Sequence, residues 1–202
     1  KILGVVFSSH MMWNSHIDLV VKKLSAALSV LFRCRHMFPP RVMFQLYHSP
    51  FRSHINYCTL IWSTTTQRNI NRLLLLEKKA IRCIHNVHYL HPTKPSFQES
   101  RIINVKAMYA YRLLHKLQFA DKKTIQFLKN VSALVERTST RVTRGSEKWM
   151  IRHHQTNYFM QTLTYNVPTQ INQLQKCVNG DTILSRTLLR DIFVFDKFHL
   201  TV

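Results

Sequence analysis

Between Asn14 and Ile84 the apolar residues recur at three- and four-residue steps, and the chain breaks that rhythm at few places. Ile17, Val20, Val21, Leu24, Leu28 and Leu31 make the first such stripe. A period near 3.6 residues puts these side chains on one face of a helix, and a strand cannot use the same pattern. Lys22, Lys23, Arg33 and Arg35 fall mostly away from the stripe, where solvent would be. Asn14 or Ser15 can cap this helix. Pro39-Pro40 ends it and starts another. The second helix carries Val42, Leu46, Tyr47, His54, Ile55, Tyr57, Cys58, Ile61 and Trp62. Pro50 lacks an amide donor and is expected to kink or split it. After Thr64-Thr65-Thr66 comes a third helix, with Ile70, Leu73, Leu74, Ala80, Ile81 and Ile84 on its apolar side. Arg72, Lys78, Lys79 and Arg82 form its basic side, with Glu77 the lone acid there.

The first seven residues read differently. Lys1-Ile2-Leu3-Gly4-Val5-Val6-Phe7 is short, apolar and β-branched, the signature of a buried strand before a turn at Ser8-Ser9-His10. A strand without a lead-in has partners upstream, so the sequence reads as the C-terminal part of a longer protein. Downstream, Pro92 and Pro95 mark a loop, and Ser96 with Glu99 has capping-box spacing for a short helix. Residues 104–120 form an amphipathic helix through Val105, Met108, Tyr109, Leu113 and Leu117. The polar, basic stretch from Thr138 to Gly145 reads as a linker. Tyr158–Tyr165 is expected as a strand and Thr182–Phe198 as a final helix capped by Asp181 or Thr182. The predicted fold is mainly α, with a short N-terminal strand, a helical bundle and a smaller mixed C-terminal region. The expected divisions are 1–13, 14–90, 91–137, 138–157 and 158–202.

The chain holds 29 Lys and Arg against 9 Asp and Glu, a formal charge of +20, spread along its length. Such an excess favours a polyanion partner, nucleic acid first and an anionic membrane second. No run reaches the roughly 20 apolar residues of a membrane span, and residues 1–15 lack a basic segment followed by a cleavage site. Cys34, Cys58, Cys83 and Cys177 form no C-x-x-C pair, and three of them fall in apolar helical patterns. They read as buried reduced thiols, consistent with an intracellular compartment. No histidine, His153-His154 included, has zinc-ligand spacing beside a cysteine.

The common signatures of a catalytic site are missing. Two-metal nucleotidyl transfer needs carboxylates side by side. The nearest acids are Asp191 and Asp196, about 140° apart on a helix. No phosphate-binding G-x-x-x-x-G-K-[ST], no H-E-x-x-H and no G-x-S-x-G occurs. A free-standing active site is not expected.

Four segments nevertheless share a family likeness. Lys1-Ile2-Leu3-Gly4-Val5 resembles the K-[FY]-L-G-V strand of non-LTR (LINE-type, jockey-like) retrotransposon reverse transcriptases. Trp13-Asn14-Ser15-His16-Ile17 resembles the W-x-x-H-I that opens their thumb. Tyr47-His48-Ser49, His54-Ile55-Asn56-Tyr57-Cys58 and Ile61-Trp62 are similar to their Y-x-S…x-L-x-Y-[CG]-x-x-[IV]-W segment. Leu73 to Arg82, Leu-Leu-Leu-Leu-Glu-Lys-Lys-Ala-Ile-Arg, resembles their L-x-x-[LI]-[QE]-[KR]-[KR]-[AF]-[IL]-R helix. The order and spacing match over residues 1–86. Beyond, Ser96-Phe97-Gln98-Glu99 fits the family's loop-to-helix junction and Tyr165-Asn166-Val167-Pro168 resembles its W-N-S-L-P. Pro50, where the family has an apolar residue, is a departure that suits a degraded element copy.

The resemblance implies a primer-grip strand, remnant of a palm sheet, then a helical thumb, a connection region and a C-terminal piece. The family's aromatic-Ala-Asp-Asp signature lies upstream of the K-x-L-G strand and has no counterpart here, nor has its endonuclease. The implied partners are RNA, the RNA–DNA hybrid, and the missing palm, fingers and endonuclease of the same polyprotein. Mg²⁺ and dNTPs belong to the full-length parent, and the compartments are cytoplasm and nucleus. Leu3 and Gly4 would approach the primer end, although Gly4 read alone serves equally to bend a strand. Lys22, Lys23, Arg33 and Arg35 would meet phosphates first, and Arg72, Lys78, Lys79 and Arg82 second. Trp13, Tyr57 and Trp62 can stack on bases or fill a core. A freestanding basic RNA-binding or interaction module without polymerase ancestry fits the same charge pattern.

Overall fold

The computed structural model describes residues 1–8, 11–137, 148–152, 156, 158–178 and 184–198. Its described residues are mainly helical and contain no sheet. They divide into two units, Lys1–Tyr109 and Ala110–Val202. The division falls within the 91–137 stretch that the sequence reads as one region.

In the first unit, helix α1 (Asn14–Cys34) buries Ile17, Val20, Leu24, Leu28 and Leu31, the stripe that its spacing predicts. Its N-terminus is not capped by Asn14 or Ser15. The Asn14 carboxamide instead accepts from the Asn69 side chain at 2.7 Å, which ties α1 to a second long helix. Pro40 stands at the first position of α2 (Pro40–Leu46), where its missing amide costs nothing. Pro50 does not break the expected second helix, whose backbone stays helical from Pro40 to Asn56, but it lies in a π-helical turn. Residues Tyr47–Arg52 form a π-helical turn, α3 (Ser53–Asn56) adds one turn, and Tyr57 leaves the helix in an extended conformation. Cys58 turns the chain at φ 49° into α4 (Thr59–Trp62). The expected second helix thus breaks at Tyr57 and Cys58 rather than at Pro50, and Tyr47, Phe51, Ile55 and Trp62 are all fully buried.

Helix α5 (Gln67–Ile84) packs on α1. The two run parallel, since Asn14 meets Asn69 and, one turn later, Asp18 meets Arg72 at 2.7 Å. Glu77 corrects the sequence reading. It lies not on the basic side but at the centre of the buried one, completely excluded from solvent. A spacing of four from Leu73 and three from Ala80 places it on the apolar stripe. Helix α6 (Thr93–Glu99) starts earlier than expected, so Ser96 and Glu99 make no capping box.

The predicted N-terminal strand is a tight turn. Ile2 and Val5 exchange both backbone hydrogen bonds at 2.9 Å, across Leu3 at φ 46° and Gly4 at φ 81°. Two successive positive φ values define a type I′ turn, in which glycine is comfortable and leucine is not. Ile2–Val5 is an isolated bridge, and Leu3 is exposed rather than buried.

Helix α7 (Val105–Phe119) matches the expected amphipathic stretch, and the Asn104 side chain accepts from the Ala107 amide at its start. In the second unit, Asp121 caps α8 (Lys122–Ser132) by accepting from the Thr124 amide and hydroxyl at 3.0 and 2.6 Å. Glu136 and Trp149 form an isolated antiparallel bridge. The strand expected over Tyr158–Tyr165 is a 3₁₀ turn (Phe159–Gln161) running into α9 (Leu163–Cys177), where Pro168 lies inside the helix and buried. The last helix, α10 (Arg186–Val194), is capped by Ser185, whose hydroxyl accepts from the Leu188 amide. The expected caps Asp181 and Thr182 lie outside the described residues, as do Ser9, His10 and the linker Thr138–Gly145. Leu113, Leu114, Leu128, Val167, Leu189 and Phe193 are buried in this unit, with Phe193 stacked on Phe198.

Candidate nucleic-acid interface

The parallel packing of α1 and α5 sets the charge pattern. On α5, Arg68, Arg72, Leu75, Lys79 and Arg82 succeed one another at four- and three-residue steps, a single face about 21 Å long. The face is solvent-exposed or half-buried throughout. Leu75 at its middle is 59% exposed. On α1, Asp18, Lys22, Ser29 and Arg33 form a matching exposed column. The Asp18–Arg72 ion pair joins the two columns, so both run side by side in the same direction. Two of the α5 cations are already engaged: Arg72 by Asp18, and Arg82, which donates to the His91 carbonyl at 2.9 Å.

The sequence-predicted candidates do not form one group. Lys22 and Arg33 share the outer column, and Lys79 faces them from α5. Lys23 points a quarter turn away, toward His16 and Val20. Arg35 lies past the end of α1, half-buried, with its Nε on the His36 ring at 2.9 Å. Lys78 is half-buried on the flank of α5. Arg68 was missed by sequence reading, although its position four residues before Arg72 signals it. Trp13 and Trp62 are core, and Tyr57 is exposed.

Lys23 borders a cleft of about 270 Å³ lined by Gly4, His16, Val20, Ser53, His54 and Tyr57. Residues far apart in the chain meet here. The Tyr57 hydroxyl donates to the Leu3 carbonyl at 2.6 Å, clasping the type I′ turn to the end of α3. The Val6 amide donates to His16 Nδ1 at 3.5 Å, which leaves the ring proton on Nε2. Burial first, and the Lys23 charge second, hold both the His16 and His54 imidazoles below the usual histidine range. Both rings therefore sense the same ammonium.

Beneath the interface, a buried network holds the elements in place. Arg52 pairs with Glu77 and donates to the Ile103 carbonyl. The Tyr47 hydroxyl donates to Glu77 Oε1 at 3.0 Å, and the Val105 amide donates to Oε2 at 2.8 Å. Burial pushes the Glu77 carboxyl up, and Arg52 chiefly pulls it back. The network joins the π turn, α5 and the start of α7 inside the first unit, and reaches no cleft.

A second cluster joins His85, Ser100 and Glu99. His85 Nε2 lies 2.7 Å from Ser100 Oγ, and Nδ1 lies 3.7 Å from the Glu99 carboxylate. The amides of Ser100, Arg101 and Ile102 are all spent on the carbonyls of Ser96, Gln98 and Phe97. The cluster clasps the ends of α5 and α6. Among the described residues, no three His, Cys, Asp or Glu side chains gather as a metal site requires, and no helix is long and apolar enough to cross a membrane. The chain matches no protein-family model, no curated protein and no solved structure.

Proposed function

We propose that this chain is the thumb and downstream portion of a non-LTR retrotransposon reverse transcriptase, and that it holds the template–primer by its phosphates. The supporting observation is the pair of parallel helices whose exposed basic columns run side by side. Such a surface offers cations in a row, meets the backbone of an A-like duplex and reads no base. RNA and the RNA–DNA hybrid are the partners, together with the palm, fingers and endonuclease of the same polyprotein, in cytoplasm and nucleus. Mg²⁺ and dNTPs act in the parent enzyme, at carboxylates outside this chain. Alone, the chain binds and does not extend a primer.

The test is fluorescence anisotropy with labelled RNA–DNA hybrids of equal length and unrelated sequence. Affinities that agree within a few-fold across sequences, and fall steeply with salt, are expected. A strong preference for one sequence, or binding indifferent to salt, would overturn the proposal.

A further inference from the structure

Exposed Lys23 lies outside the two basic columns, a quarter turn from Lys22 and Arg33. It faces two histidines, and the three share the cleft between the Leu3–Gly4 turn, α1 and α3. Four polar side chains lining that cleft have a donor to offer, the Lys23 ammonium, the His16 and His54 rings and the Ser53 hydroxyl, while the Tyr57 O–H is spent on the Leu3 carbonyl. Among the described residues, no carboxylate lines it. The floor is closed by the aliphatic Val20 and by Gly4, where even an added Cβ would stand 3.8 Å from the Tyr57 ring. Three nitrogen donors around an open cleft with no acceptor of opposite charge are a seat for an anion. Its volume suits one phosphate group and part of a sugar, not a drug-sized ligand, whose pockets run from about 300 Å³ upward.

We infer that the cleft bounded by His16, Lys23, His54 and Tyr57 seats a single phosphodiester of the bound nucleic acid, separately from the outer basic columns. This contact rests on the template–primer reading and adds to it a pH dependence of its own. In the chain alone the Lys23 charge and burial disfavour imidazolium. A seated phosphate supplies the missing negative charge and draws a proton onto His54, and onto His16 at the expense of the hydrogen bond its Nδ1 accepts from the Val6 amide, so affinity rises as the pH falls. The titratable and charged groups lining the cleft are Lys23 and His16 on α1, His54 on α3 and Tyr57, and of these the Lys23 charge, after burial, holds the two rings neutral. The phosphodiester itself does not titrate in this range, which makes the histidines the source of the change.

The experiment measures the affinity of the full chain for an RNA–DNA hybrid at pH 7.5 and 5.5, at fixed salt. It compares the wild type with the double variant Lys23→Gln, His54→Gln, whose helicity is checked by circular dichroism. The wild type is expected to bind roughly tenfold tighter at pH 5.5, the size of one charge-assisted hydrogen bond. The double variant is expected to lose most of that gain while still binding in a salt-dependent way. In parallel, NMR of the ring nitrogens should show the His16 and His54 titrations moving to higher pH when the hybrid is added. Hybrid binding with the same pH gain in the variant, or unmoved His16 and His54 titrations, would overturn the cleft and leave the outer columns standing. No hybrid binding at any pH, or preference for anionic vesicles over the hybrid, would overturn both.

Discussion

The two units bury polarity in different ways. In Lys1–Tyr109 the polar centre is one charged pair, Arg52 and Glu77, whose hydrogen bonds tie the π turn to α5 and to the segment that opens α7. In Ala110–Val202 it is a row of amides on α9: Asn166, Gln170, Asn172 and Gln173 are all buried. Asn172 copies a strand there, accepting from the Trp149 amide at 3.0 Å and donating to the Trp149 carbonyl at 2.8 Å. An ion pair in a dry core is intolerant of losing a partner, because the survivor is left charged and unsolvated. An amide that loses a partner leaves a neutral group, which costs less. The first unit is therefore built around a single indispensable contact, and the second around several replaceable ones.

The sharpest way to break this comparison is Glu77→Ala. Removing the carboxylate strands Arg52, and unfolding of the first unit is expected to become easier by about 3–5 kcal/mol, read by hydrogen exchange of α5 amides. A loss no larger than that of a surface substitution would show that the network does not organise the unit. Asn172→Ala comes next. It removes two backbone partners of Trp149 and is expected to cost about 1–3 kcal/mol, confined to exchange in α9 and the 148–150 segment. A smaller effect is predicted for Asp18→Asn, since the Asp18–Arg72 pair is exposed and such pairs contribute about 0–1 kcal/mol.

Acid titration separates the units by sign. Hydrogen bonds from Thr124 hold the exposed Asp121 carboxyl below its ordinary value of 3.8. Its contribution to α8 is complete above that value and is lost as the pH falls through the lower, folded one. Burial holds the Glu77 carboxyl above its ordinary value of 4.5. Its contribution is complete below that value and declines as the pH rises through the folded one. Protection factors of α8 and α5 amides, with the intrinsic pH dependence of exchange divided out, should drift in opposite directions from acid to neutral pH. Parallel drift would mean that these two carboxyls do not govern their helices.

The same contrast explains what could be read from sequence. The helices of the first unit were legible because Ile17–Leu31 and Ile70–Ile84 keep strict helical steps. Glu77 was misplaced by its charge, although its position put it on the apolar face. The opening residues were misread because apolar, β-branched composition describes a strand and a hairpin turn equally. Their conformation is decided by Gly4 and by the distant Tyr57. In the second unit α9 escaped recognition because its buried face is amide rather than aliphatic, and Pro168 argues locally against a helix. The caps Asp121 and Ser185 were not read from the sequence, which placed the last cap at Asp181 or Thr182. Of the candidate interface, single basic residues were visible. Their grouping was not, because it depends on α1 and α5 running parallel.

That grouping is the central claim, and salt dependence measures it most directly. The slope of log K against log salt for an RNA–DNA hybrid counts the phosphate contacts, and about four to six contacts give roughly −3 to −5. Changing Lys22, Arg33, Arg68 and Lys79 together to glutamine removes the exposed cations of both columns. Helicity is kept, because Gln forms helices nearly as well. A slope flattened by up to about four contacts is expected, with the residual dependence of the Lys23 cleft remaining and the circular dichroism spectrum unchanged. A variant that folds, binds and keeps the wild-type slope would place the nucleic acid elsewhere on the chain and contradict the grouping.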